Sequence, residues 1–66
     1  MPHAWEIAQT LLTLNAPDGG SVAFVKCVGG GIGIARDGVP LPDSRWTENQ
    51  LTECLNEFIR LAGLKH

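Results

Sequence analysis

Two turn signals close together, Gly29-Gly30 and Asp37-Gly38, commit the centre of this chain to short antiparallel strands. Residues 21–28 read Ser-Val-Ala-Phe-Val-Lys-Cys-Val, a β-favouring composition. Residues 31–36 provide the return strand and 39–41 a short third one, which Pro40 places at an edge because proline has no N–H for a ladder. A two-residue turn at Gly29-Gly30 opposes Val28 to Gly31, Cys27 to Ile32 and Val25 to Ile34. The Asp37-Gly38 turn opposes Arg36 to Val39 and Ile34 to Leu41. Opposed residues share a face. One face therefore gathers Ala23, Val25, Cys27, Ile32, Ile34, Val39 and Leu41. The other gathers Val22, Phe24, Lys26, Val28, Gly31, Gly33, Ala35 and Pro40. A three-residue turn at Gly29-Gly30-Gly31 would set Lys26 and Arg36 among the isoleucines, and it ranks second for that reason.

On either side the pattern changes from period two to spacings of three and four. Ala4, Ile7, Ala8, Leu11, Leu12 and Asn15 recur at helical intervals, which predicts an amphipathic helix over residues 3–15, with Glu6 favourably near its start. Pro17 and Gly19-Gly20 end it. The last helix is marked at both ends. Thr47 and Gln50 form a capping box, Trp46 and Leu51 a hydrophobic staple, and Gly63 with Leu64 a Schellman ending against Ile59. Leu51, Cys54, Leu55, Phe58, Ile59 and Ala62 make its buried stripe. The expected architecture is a small α+β domain spanning residues 1–66, of order α-β-β-β-α. In it a short antiparallel sheet of two or three strands packs against two amphipathic helices.

A chain of 66 residues buries only roughly 60% of its unfolded surface, so its stability is marginal without a staple or partner. Net charge is −2, and Lys26, Arg36, Arg45, Arg60 and Lys65 are scattered rather than striped, which disfavours a nucleic-acid partner. Two cysteines are too few for an extracellular scaffold of this size; Cys27 and Cys54 are expected as buried, reduced thiols. No signal peptide is recognisable and no apolar run reaches the roughly 18 residues of a bilayer span, so the expected location is cytoplasmic, away from membranes.

Catalytic and cofactor chemistry finds no motif. Gly29-Gly30-Gly31-Ile32-Gly33 lacks the spaced third glycine and following helix of a dinucleotide loop, and no Gly-Lys-Ser/Thr follows for a Walker loop. His3 and His66 are terminal, without a Cys, His, Asp or Glu at metal-ligand spacing. Neither cysteine, nor Ser21 or Ser44, has an evident base. Glu53 and Glu57, four apart on the last helix, read as a solvated face. No enzymatic activity, metal or cofactor is expected.

The expected element order, with Arg36-Asp37-Gly38 followed by Pro42 and a final helix ending Leu61-Ala62-Gly63-Leu64, resembles double-stranded-RNA-binding domains and HicA-type ribonuclease toxins. The toxin resemblance implies a catalytic histidine on the second strand, where residues 31–36 have none. The RNA-binding resemblance implies basic residues at the start of the last helix, where Glu48 and Glu53 stand. Neither function is carried over.

The sequence instead points to a non-enzymatic protein-binding module: an adaptor, an inhibitor (the phage type among them, with Asp43, Glu48, Glu53 and Glu57 supplying acidic charge) or a regulatory subunit. The candidate interface is the flat face of Phe24, Lys26, Val28, Gly31, Gly33 and Ala35, and the expected partner is a second copy in a dimer, another protein, or both. In the competing arrangement the first helix covers that face. The alternative class is a nucleic-acid-associated protein on an RNA-binding-domain-like scaffold.

Overall fold

The computed structural model describes residues 5–64. Four strands, β1 (Ile7–Asn15), β2 (Ser21–Cys27), β3 (Ile32–Arg36) and β4 (Val39–Trp46), form one antiparallel sheet in sequential order. A 3₁₀ turn (Glu48–Gln50) leads into α1 (Leu51–Leu61), which packs across β2, β3 and β4. Among the described residues the fold is β-rich α+β with one helix; the expected pair of helices and two- or three-stranded sheet are not what forms. The α-β-β-β-α order that carried the resemblance to RNA-binding domains and toxins goes with them. His3, Ala4, Lys65 and His66 lie outside the described residues.

The segment expected as the first helix is strand β1 from Ile7 onward. Its ladder to β2 slips twice, between Ile7 and Gln9 and between Thr10 and Leu12. Each slip inserts an extra residue and breaks the strict two-residue alternation. Ile7, Thr10 and Thr13 consequently oppose Cys27, Val25 and Ala23, while Leu12 and Leu14 oppose Phe24 and Val22. Ile7 and Leu12, which the helical spacing sets on one stripe, thus fall on opposite faces of the sheet. β-Branched Ile7, Thr10 and Thr13 favour the extended form, and β1 covers what would otherwise be the open edge of β2.

The glycine turn also differs. Its loop is Val28-Gly29-Gly30, closed by the Cys27 N–H to the Gly31 carbonyl (3.1 Å) and the Gly30 N–H to the Cys27 carbonyl (3.2 Å). Gly31 has φ +88° and leaves no room for a Cβ, which would stand 2.7 Å from the Trp46 carbonyl oxygen. Phe24 now faces Ile34, Val25 faces Gly33 and Lys26 faces Ile32. A shift of one residue reverses every side chain. Val22, Phe24, Lys26, Ile32, Ile34 and Arg36 therefore share a face. This is the face assignment of the arrangement ranked second, reached through a different loop. The Asp37-Gly38 hairpin forms as expected, with φ of 52° and 83° and Arg36 opposite Val39. Pro40 does lie on an edge strand, which continues to Trp46.

The two faces bury separate clusters. Beneath α1, Val22, Ile32 and Ile34 meet Cys54, Phe58 and Ala62, with Leu14, Phe24, Leu41, Trp46 and Leu61 around them. On the far face Ala23, Val25 and Ala35 are covered by Trp5 and Ile7. The helix ends follow the sequence reading. Gln50 Oε1 accepts from the Thr47 N–H (3.1 Å) and hydroxyl (3.2 Å). Leu64 N–H donates to the Ile59 carbonyl (3.0 Å) and Gly63 N–H to that of Arg60 (3.2 Å), the Schellman pattern. Leu51 departs from the expected stripe: it is exposed.

Candidate functional site

Because α1 runs over β2, β3 and β4, the helix-side surface beside β1 stays open. There the edge of α1 and the sheet enclose a groove of about 290 Å³ lined by Leu11, Phe24, Lys26, Ile32, Glu48 and Leu51. Leu11 and Leu51 are each 44% exposed, so two leucines face solvent around one apolar floor. Phe24 holds that floor against the core, its ring centroid 6.0 Å from that of Phe58 at a 46° tilt. Lys26, exposed, and Glu48, also exposed, put one charge of each sign on the rim.

The six residues expected to form an interface do not lie together. Phe24 and Lys26 are in this groove; Val28 is exposed in the glycine turn and Gly31 half-buried beside it. Gly33 and Ala35 are buried on the opposite face, Gly33 under the Trp5 ring. The single flat strip is replaced by two faces, because the register slips by one residue at the glycine loop. Sequence reasoning missed Leu11, Ile32, Glu48 and Leu51. The three-residue turn would have put Ile32 on the same face as Phe24, and no local signal marked Leu11 as strand.

A second cleft, of about 650 Å³, lies between Gly29, Gly30, Gly31 and the start of the last helix, and Arg45 borders it. The Arg45 guanidinium is engaged, donating to the Gly30 carbonyl at 2.8 Å.

Cys27 and Cys54 are free and buried, as expected. Burial raises the Cys27 thiol despite the opposing pull of Arg45, and burial, with a smaller contribution from Cys27, pushes Cys54 up to about 11. Both therefore stay protonated and weakly nucleophilic near neutral pH. Two carboxylates are displaced downward: Asp18 by the Gly20 N–H (3.1 Å) and then Arg36, and Glu57 by its bond from Arg60. Acids held ionised in this way are poor proton donors. Among the described residues no group of three or more His, Cys, Asp or Glu is arranged to hold a metal ion, and no helix is long and apolar enough to cross a membrane.

The class the structure defines is thus a β-rich α+β fold, a four-stranded antiparallel meander closed on one face by a C-terminal helix. No family model, curated protein or solved structure matches the chain.

Proposed function

We propose that the chain is a non-enzymatic protein-binding module, an adaptor, inhibitor or regulatory subunit, that takes an apolar segment of a partner protein into the helix-side groove. The observation carrying this reading is that Leu11 and Leu51 are exposed around a floor of Phe24 and Ile32. Scattered exposed leucines are ordinary, but a contiguous apolar depression with a polar rim is characteristic of an interface. Phe24 is already ordered by Phe58, so docking a side chain on it costs little rotamer entropy. Lys26 and Glu48 would then orient the incoming segment by charge. Two reduced thiols fit a reducing compartment, and we place the module in the cytoplasm on that ground.

The test begins with the intact protein and a Leu51→Lys variant immobilised side by side and exposed to extract of the source cells. A protein held by the first and lost by the second is purified and titrated into isotope-labelled chain. Shift changes centred on Leu11, Phe24, Ile32 and Leu51 support the proposal. A partner that binds the variant equally well, or that perturbs only the far face, overturns it.

A further inference from the structure

We propose that β1 is a pairing edge for a second copy of this chain, so that two four-stranded sheets join across a two-fold axis into one eight-stranded sheet. The two edges of the sheet are built differently. β4 carries Pro40, Pro42, Asp43 and Arg45, the proline and charge that discourage strand addition. β1 reads Ile-Ala-Gln-Thr-Leu-Leu-Thr-Leu-Asn: nine residues without a proline or a charge, most of them exposed. An uncharged strand is compatible with itself, since no antiparallel register can set like charges opposite one another. Asp18, the first charge after the strand, is neutralised by Arg36.

Only part of β1 is straight enough to pair. The slips at Ile7/Gln9 and Thr10/Leu12 leave residues 12–15 in regular register with β2. The Ala16 N–H points inward to the Gly20 carbonyl (2.8 Å), and the backbone alternates from there. Leu14 is therefore turned toward β2, while Thr13 and Asn15 direct their N–H and C=O groups outward, away from the sheet. These are the groups a second copy would engage. The bulges end the pairable stretch on one side and the turn after Asn15 ends it on the other, which restricts the register. Leu12 and Leu14 oppose Phe24 and Val22 on the helix side. Both copies would therefore bring these leucines together on the surface that α1 leaves open, burying part of the exposed Leu12. The second copy is a separate occupant from the groove partner, and neither proposal requires the other.

Sedimentation equilibrium of the full chain from micromolar to millimolar concentration should show a monomer–dimer equilibrium. Hydrogen exchange should show the Thr13 and Asn15 amides slowing as the dimer fills, while the outward groups of β4 do not slow. Thr13→Pro removes one outward donor without touching the β1–β2 ladder and should give a folded monomer. Should it fail to fold, Leu12→Lys, at an exposed position, brings a cation from each copy to the joint and should shift dissociation at least tenfold. A chain that stays monomeric throughout, a dimer whose Thr13 and Asn15 amides exchange freely, or a dimer untouched by Leu12→Lys overturns the proposal. Leu51→Lys should leave the dimer intact, so loss of the groove partner and loss of β1 pairing are read separately.

Discussion

Gly33 shows at the scale of one residue how thin the far face of this sheet is. A Cβ there would stand 2.7 Å from the Ser44 carbonyl oxygen and 2.7 Å from Cζ2 and Cη2 of Trp5. The indole cannot yield easily, because its Nε1–H donates to the Leu41 carbonyl at 2.7 Å. Gly33→Ala should therefore overpack the site and cost about 1–3 kcal/mol, read as a lowered denaturant midpoint together with altered Trp5 emission. An unchanged midpoint would mean that Trp5 is not seated there. Cys54 makes a second, independent case. It is fully buried, and burial first, then Cys27, hold its thiol near 11 against an ordinary 9.0. The unfolded chain ionises this thiol before the folded one does. Its contribution to stability is thus fully present below pH 9.0 and is lost as pH rises toward 11. Cys54→Ala should flatten that alkaline decline, measured as melting temperature against pH. In the parent protein, alkylation at neutral pH should be slow until denaturant is added.

Elements were legible in the sequence where a signal is local and illegible where pairing decides. The start and end of α1 rest on contacts between residues a few positions apart: Thr47 with Gln50, Ile59 with Leu64. Gly63 sits at φ +73° as the Schellman ending requires, and a Cβ there would in addition collide with the Pro17 ring. Gly38, at φ +83°, has open space around it. Gly38→Ala should then cost about 1–2 kcal/mol, the left-handed penalty alone, and Gly63→Ala measurably more. Equal costs in chemical denaturation would show that α1 does not pack its C-terminus on the 16–20 turn. β1 has no such local code. Its apolar residues recur at helical intervals, and only β2 as a neighbour makes the extended form pay. The glycine loop differs by one residue from the two-residue turn that the glycines suggest, which is enough to divide the expected interface between two faces. Of the groove, Phe24 and Lys26 were recognisable from sequence. The rest depends on β1 lying beside β2, a pairing between the chain's first elements and its centre that no windowed pattern encodes.

For the molecule as a whole, one cluster holds both faces. The far face contributes Ala23, Val25 and Ala35 under Trp5 and Ile7, too little apolar volume to persist by itself. The helix-side cluster is centred on Phe58, which is 3% exposed and packs on Phe24. At roughly 0.05–0.15 kcal/mol per residue, a chain of this size has on the order of 3–10 kcal/mol of total stability. Phe58→Ala should remove about 3–5 kcal/mol of that, through lost burial and the cavity left behind. The sheet cannot outlast the helix on such a margin, so the two faces should melt together. Far-ultraviolet circular dichroism follows α1. Emission of Trp5, measured in a Trp46→Phe background, follows the far face. The two transitions should coincide in the parent protein and shift together to lower denaturant in Phe58→Ala, with a substantial unfolded fraction already present in buffer. A Trp5 signal that persists after the helix has melted would mean that the far face carries its own stability, and that the sheet holds without the Phe58 cluster.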